Sequence, residues 1–310
     1  MNEDAKIEAL EGEGAAPAEA TPAAPAEAVP VPAAPVDELA GDDRWARVGG
    51  ALMSAGLAAG RFTAKAGTRV GSAVAGAYHA MDPDLRRHIG ELPLLGLTML
   101  APGRTTDVLA LPDDGANIVV FVHGLGGSPG NFWPMRSWFR LRGRTRSYAV
   151  TFPDGRSIAE LAGLLATFLE EVARVNEGSG AGRIDLVAHS MGGLVCRAAL
   201  LDPAVRARVA TLVTLGTPHE GTYLARFGAS TSVLDLRPTS DIVERLRGQL
   251  PWRGPPEMPR LVAFWSGADL LLLPHQSGRV DGAENVEIAG STHYGYLLRL
   301  DAWDAVLGVL

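Results

Sequence analysis

A short turn rich in small residues separates a strand-like segment from a helix-like one, and it limits the folds open to this chain. Residues 188–193 read Ala-His-Ser-Met-Gly-Gly, between the apolar run 183–187 and the helix-like run 194–201. A serine on so sharp a turn is forced into a strained backbone conformation, so the residues two positions before and after it must be small. Ala188 and Gly192 meet this requirement, although glycine is usual at both places. We therefore interpret Ser190 as a nucleophile exposed at the end of a strand.

The first 43 residues differ in composition from the rest of the chain. They are rich in Ala, Pro and Glu and contain almost no large apolar residue, which predicts a disordered tail. Eleven acidic residues and one lysine give this tail a charge of −10, so the chain's net charge of −7 leaves +3 on the remainder. A near-neutral body with an acidic tail does not fit a nucleic-acid-binding protein. We expect the tail to act as a solvating segment.

The start of the chain lacks the basic and then apolar pattern of a signal peptide, so we expect a cytoplasmic protein. Cys196 is the sole cysteine, which excludes an internal disulfide and a thiolate metal cluster. We see no clear calcium site and expect neither a metal ion nor a cofactor.

Residues 44–99 are predicted to form an amphipathic helical extension. Apolar or small residues recur every three to four positions over 45–81, and basic residues lie among them. The longest uncharged run, 48–60, is too short to span a bilayer. Two interpretations stay open: the helix packs on the body of the protein or on a partner, or it forms a peripheral contact with a membrane surface. The sequence leaves the oligomeric state open.

Strand-like and helix-like segments alternate over the remainder, 100–310. Several of the strands are uninterrupted apolar runs, which is typical of a parallel sheet buried on both faces. A capping-box pattern, Ser157 with Glu160, begins a crossover helix. This order predicts an α/β fold, a mostly parallel sheet with helices on both faces, and a cap or lid insertion at about 217–259. The predicted strands are 107–111, 117–122, 147–152, 183–188, 209–215, 260–265 and 285–289.

A serine nucleophile needs a histidine base and an acid, each on a loop after a separate strand. Asp269 follows the strand 260–265 and His293 follows the strand 285–289, in the chain order serine, acid, histidine. We interpret these two residues as the acid and the base. The competing candidates fit less well by position: the acids Asp235, Asp241 and Asp281, and the histidines His189, His219 and His275.

Two backbone N–H groups must also stabilise a developing oxyanion. Met191 follows the nucleophile, and Leu125 lies among glycines just after an early strand, so we assign the two donors to them. Apolar residues crowd the expected mouth of the site and favour an acyl chain over a sugar or a phosphate ester. Those that we predict to contact substrate are Trp133, Leu270 and Tyr294.

Residues 115–310 resemble the bacterial lipases and esterases of the α/β-hydrolase superfamily, and triacylglycerol lipases in particular. The stretches that carry the resemblance are 122–127 (Val-His-Gly-Leu-Gly-Gly), 188–193, 215–221 (Leu-Gly-Thr-Pro-His-Glu-Gly), 266–269 (Ser-Gly-Ala-Asp) and 292–293 (Thr-His). The resemblance implies the α/β-hydrolase fold, the triad Ser190, Asp269 and His293, an oxyanion hole at Leu125 and Met191, and a lipid or other acyl ester as substrate. It implies no catalytic role for His219.

Two alternatives to ester hydrolysis stay open. An acyltransferase would use the same triad and pass the acyl group to an alcohol or thiol. A non-catalytic scaffold would recruit a partner through the N-terminal helix and acidic tail, and an intact triad argues against it.

Overall fold

Runs of β-branched and aromatic residues, such as Ile118-Val-Val-Phe-Val122, form the strands of a parallel sheet in the computed structural model, which describes residues 78–99, 108–178 and 182–310. Within these residues the sheet has six strands: β1 Ile118–Val122, β2 Ser147–Ala149, β3 Ile184–His189, β4 Val209–Leu215, β5 Arg260–Trp265 and β6 Glu284–Glu287. They lie in the order β2-β1-β3-β4-β5-β6, and every neighbouring pair is parallel. The predicted parallel α/β architecture is thus confirmed.

The strand order changes direction at β1. The chain runs from β1 to the edge strand β2 and then returns to β3 on the other side of β1. Val122, the last residue of β1, is in register with Ala188 near the end of β3. Because ligands bind at such switch points, beyond the carboxyl ends of the strands, the loops after β1 and β3 are placed together at the expected site.

Helices cover both faces of the sheet, as predicted. Alternate residues of β1 face opposite sides. Val120 belongs to a core formed with the helices at 158–175 and 191–199, and Phe121 belongs to a core formed with the helices at 133–141, 295–298 and 300–307. The helices are α1 Pro83–Met99, α2 Trp133–Leu141, α3 Ile158–Val175, α4 Met191–Ala199, α5 Pro203–Arg208, α6 Thr231–Asp235, α7 Asp241–Arg247, α8 Gly295–Leu298 and α9 Leu300–Leu307, with 3-10 helices at Pro129–Phe132, Tyr223–Phe227 and His275–Gly278.

The predicted capping box begins helix α3. The Ser157 hydroxyl accepts a hydrogen bond from the Glu160 N–H, and the Glu160 carboxylate accepts one from the Ser157 N–H at 2.8 Å. Asp235 adds a third contact, because its carboxylate accepts a hydrogen bond from the Ile158 N–H at 2.7 Å. Asp235, a competing candidate for the catalytic acid, therefore serves a helix end.

The predicted strand 107–111 is wrong over its described residues, since 108–111 form no strand. Side chains bind the backbone groups that a strand neighbour would need: Tyr148 Oη donates to the Leu109 carbonyl at 2.5 Å, and Asn176 Oδ1 accepts from the Leu111 N–H at 3.0 Å. Strand β2 is also shorter than predicted and ends at Ala149.

The predicted tail at 1–43 and most of the predicted helix at 45–81 lie outside the described residues. Within the helical extension that we predict at 44–99, residues 83–99 form helix α1. In the part of the chain that the structure describes, no helix is both long enough and apolar enough to cross a membrane.

Candidate active site

Ser190 lies on a strained turn between β3 and α4. Its φ of 55° and ψ of −129° make it the one non-glycine residue with positive φ in the described chain. A Cβ at Gly192 would lie 2.6 Å from the Val122 carbonyl oxygen, which explains the need for glycine there. The Ser190 N–H donates to the Leu215 carbonyl at 2.9 Å and ties the turn to β4. The turn thus presents the serine side chain at the carboxyl edge of the sheet.

The structure brings Ser190, His293 and Asp269 together in one hydrogen-bonded chain. His293 Nε2 lies 2.9 Å from Ser190 Oγ, and His293 Nδ1 lies 2.9 Å from Asp269 Oδ2. Asp269 is fully buried and His293 is 4% exposed. The Leu271 N–H also donates to Asp269 Oδ1 at 3.0 Å and helps to fix the carboxylate. With Nδ1–H donating to this carboxylate, Nε2 is free to accept the serine proton.

The peptide groups of His293 are held on both sides by other histidines. His189 Nε2 lies 2.8 Å from the His293 carbonyl oxygen and donates to it. Burial lowers the pKa of His189 to about 3, so this ring is neutral and keeps one N–H donor. The His293 N–H donates to Nε2 of His88 at 3.1 Å. His88 lies on α1, more than 200 positions earlier in the chain.

Leu125, which we predict to be an oxyanion donor, lies in the loop after β1. A Cβ at Gly124 would lie 2.8 Å from Ser190 Cβ, so only glycine permits this approach. His123 fixes the loop, because its Nδ1 donates to the Gly124 carbonyl at 3.0 Å and its Nε2 accepts from the Phe152 N–H at 3.3 Å. Within the described residues, the backbone N–H groups of Leu125 and Met191 donate to no acceptor. Both N–H groups are therefore without a protein acceptor in this part of the chain.

An apolar cavity of about 300 Å³ opens at Ser190. Tyr294 lines it, as predicted from sequence, but Trp133 and Leu270 do not. Trp133 begins α2 and is 46% exposed, whereas Leu270 is buried and its neighbours Leu271 and Leu272 line the cavity instead. The other apolar side chains of the lining are Leu95, Leu125, Phe132, Pro218, Leu224, Ala225, Phe227, Val233, Leu236 and Leu297.

Comparison with known proteins agrees with this geometry. Residues 145–235 match the family described as PGAP1-like alpha/beta domain. A triacylglycerol lipase of Pseudarthrobacter phenanthrenivorans is 29% identical over 119 residues, which are 35% of this chain and 35% of that protein. The chain thus spans about a third of the length of this curated relative.

Solved structures show the same fold. The mature lipase of Bacillus licheniformis superposes with a TM-score of 0.53 at 18% identity, over 66% of this chain and 95% of that one. This chain therefore has the α/β-hydrolase fold. Lipase B of Aspergillus fumigatus gives a TM-score of 0.54 at 16% identity, over 65% of this chain and 53% of that one.

The Gly-Thr-Pro-His stretch, residues 216–219, supports the serine turn. Thr217 Oγ1 donates to the Ser190 carbonyl at 2.8 Å. The His219 ring is buried between Thr214 Oγ1 at 3.0 Å and Arg197 Nη1 at 3.3 Å, away from the triad. Burial lowers the pKa of Arg197 to about 10, which leaves its guanidinium charged. His219 is therefore a structural partner of the helix that follows the nucleophile.

Two sets of residues at this site were missed from sequence. The prediction of a cap or lid insertion at 217–259 does not say which of its side chains face the cavity. Those that do include Leu224, Phe227 and Leu236. No local pattern pointed to His88 or to Leu95, because α1 is distant in sequence from every other part of the site. Among the described residues, no cluster of three His, Cys, Asp or Glu side chains forms a metal site.

Proposed function

We propose that this protein is a serine carboxylic-ester hydrolase that cleaves aliphatic acyl esters through an acyl-enzyme on Ser190. The observation that carries the proposal is the continuous hydrogen-bonded chain from the buried Asp269 carboxylate through His293 to the Ser190 hydroxyl. This arrangement activates a weak nucleophile by an adjacent base whose ring is oriented by a third group.

In the first step, Ser190 Oγ attacks the ester carbonyl carbon while His293 Nε2 takes the hydroxyl proton. The Leu125 and Met191 N–H groups bind the oxyanion, a contribution of about 3 kcal/mol per donor. Asp269 holds the imidazole in its reactive tautomer and stabilises the imidazolium. His293 then returns the proton to the leaving alcohol, and the acyl group remains on Ser190. A water molecule activated by His293 hydrolyses this acyl-enzyme.

The lining of the cavity supports an aliphatic acyl group as the part of the substrate that it binds. Leucine, phenylalanine and valine side chains dominate the lining, and it contains no lysine, arginine, aspartate or glutamate. An anionic acyl chain would lose its hydration along this lining without gaining a lysine or arginine partner. The name of the triacylglycerol lipase relative supports the same class, a neutral lipid or other uncharged acyl ester.

The test is the hydrolysis of p-nitrophenyl esters from acetate to palmitate by the wild type and the Ser190→Ala variant. We expect Ser190→Ala to lower kcat by at least about 10⁴-fold, since the variant retains only binding and the oxyanion hole. Ser137→Ala is the matched control, because that hydroxyl lies on α2 and donates to the Trp133 carbonyl at 2.8 Å. If Ser190→Ala turned over like the control, the proposal would be wrong.

A further inference from the structure

Helix α1 contacts the loop that carries the base through three of its side chains. Arg87 Nη1 donates to the Gly290 carbonyl at 3.0 Å, His88 Nε2 accepts from the His293 N–H at 3.1 Å, and Glu91 accepts from Thr292 Oγ1. All three contacts join residues more than 200 positions apart in the chain. Helix α1 also lies outside the residues that the family model matches.

The His88 ring has one tautomer that suits both of its contacts. Its Nδ1 lies 2.9 Å from the Asp84 carbonyl oxygen, one helical turn earlier, and must donate to it. Nε2 then carries the lone pair that accepts the His293 N–H. His88 is 1% exposed, and burial lowers its pKa, so the neutral ring that this arrangement requires is favoured.

The other end of α1 reaches the opposite side of the site. Thr98 Oγ1 accepts a hydrogen bond from Asn131 Nδ2 at 2.9 Å. Asn131 Oδ1 in turn accepts from the Ser128 N–H at 2.7 Å, in the segment that follows Leu125. Leu95, between these contacts, lines the cavity. One helix therefore bridges the loop of the base and the loop of the oxyanion donor.

We propose that His88 is a positioning residue for the base: through the His293 N–H it sets the place of the imidazole relative to Ser190 Oγ. His189 holds the His293 carbonyl oxygen, so the two histidines fix the two peptide groups that flank the His293 Cα. Without the acceptor at His88, the His293 N–H loses its partner although Arg87 and Glu91 still bind the loop, and the 2.9 Å contact between His293 Nε2 and Ser190 Oγ loosens. This role rests on the proposed function, because it serves the triad of the same site.

A matched pair of variants separates positioning from packing. In His88→Gln the amide oxygen occupies the place of Nε2 and still accepts the His293 N–H. In His88→Asn the amide stays near the place of Nδ1 and does not reach His293. We expect His88→Asn to lower kcat for p-nitrophenyl butyrate by about tenfold or more with KM nearly unchanged, since misplacing a catalytic group by about 1 Å costs up to about 10²-fold. His88→Gln should recover most of that loss.

The control on the same helix is Gly96→Ala. A Cβ at Gly96 meets no described atom within 4 Å, so this change alters α1 without altering the contact. We expect its kcat to equal that of the wild type. Equal kcat in His88→Asn and the wild type would overturn the proposal. So would equal losses in the Asn and Gln variants, since a packing role alone predicts no rescue by the longer amide.

Two measurements do not depend on ester turnover. In the ¹⁵N-labelled wild type, a scalar coupling across the hydrogen bond between the His293 amide nitrogen and His88 Nε2 reports the contact without any substitution, and its absence would overturn the proposal. The downfield proton on His293 Nδ1, shared with Asp269, should persist in His88→Gln and broaden in His88→Asn. If the wild type cleaved no ester, the proposed function would fail, and these two signals would still decide the role of His88.

Discussion

At the scale of single residues, Gly124 determines how closely the oxyanion loop approaches the nucleophile. A Cβ there would lie 2.8 Å from Ser190 Cβ and 2.9 Å from the His189 carbonyl oxygen, so the loop must move in Gly124→Ala. We expect kcat for p-nitrophenyl butyrate to fall by about 10²-fold, as in the loss of one oxyanion donor. Unfolding in urea should show that the variant remains folded.

Gly126, two positions later, is the matched comparison. It has φ of +63°, and a Cβ there would meet no described atom within 4 Å. Gly126→Ala should therefore cost about 1–2 kcal/mol of unfolding free energy through backbone strain while kcat stays close to that of the wild type. The interpretation of the loop would be wrong if Gly124→Ala kept full kcat, or if Gly126→Ala were the variant that lost it.

The sequence predicted those site residues whose positions are determined by their neighbours in the chain. Ser190 could be identified because the steric demand of the turn fixes the size of Ala188 and Gly192 beside it. His88 could not be identified, because it acts on the peptide N–H of His293, which lies 205 positions later in the chain. Leu270 shows the opposite error: it is next to Asp269 in sequence, and yet its side chain is buried and does not line the cavity.

At the scale of elements, the insertion between β4 and β5 forms a wall of the cavity and is bound to the body at several points. Ser232 Oγ donates to the Arg156 carbonyl at 2.6 Å, and the Asp235 carboxylate accepts from the Ile158 N–H at 2.7 Å. The buried Arg197 donates to the Leu246 carbonyl at 2.7 Å. Breaking these buried or partly buried contacts would leave polar groups unpaired, so they favour a fixed cap over a mobile lid.

A fixed cap predicts simple kinetics at a lipid surface. We expect the rate of tributyrin hydrolysis to rise smoothly as the substrate concentration passes its solubility limit. Above the limit, the rate should stay within about twofold of the value extrapolated from the rates below it, because a fixed cap does not have to open at a lipid surface. The measurement is initial rate against tributyrin concentration across that limit. A steep rise above the limit would show instead that the insertion opens as a lid.

The elements also differ in how far sequence alone predicts them. Strands β4 and β5 have the predicted bounds, because both faces of a central strand are buried and most of their residues are apolar. The segment 108–111 has a similar local pattern, but Tyr148 and Asn176 bind its backbone from distant elements. A local sequence pattern contains no information on side chains from distant elements that bind the backbone in place of a neighbouring strand.

At the scale of the whole molecule, the fold buries neutral histidines on both sides of the nucleophile. Burial is the first cause that lowers the pKa of His88, His123, His189 and His219. Each neutral ring makes a hydrogen bond to a specific partner, and protonation of the ring would disturb these contacts. We therefore expect these histidines, which order the site, also to make the free energy of unfolding depend on pH in the acid range.

The sign of that effect follows from proton binding in the two states. In the unfolded chain a histidine binds a proton near its ordinary pKa of about 6.5, whereas folded His189 does so only near pH 3. Between these values the unfolded state binds more protons, so the free energy of unfolding falls as the pH falls. His189 alone should account for a loss of about 2 kcal/mol between pH 7 and pH 5. Glu91 and Asp185, whose pKa values are raised by burial, act in the opposite direction.

His219 allows this to be tested away from the triad, because burial and the neighbouring Arg197 both lower its pKa well below the ordinary value. We expect urea unfolding at several pH values from 7 to 5 to give a steep decline for the wild type. In His219→Gln the slope near pH 5 should be smaller by about 1.4 kcal/mol per pH unit, the contribution of one proton. The variant is less stable at every pH through lost contacts, but that offset leaves the slope unaffected. Equal slopes would mean that His219 is already protonated in the folded protein, which would contradict the neutral ring that accepts from Arg197.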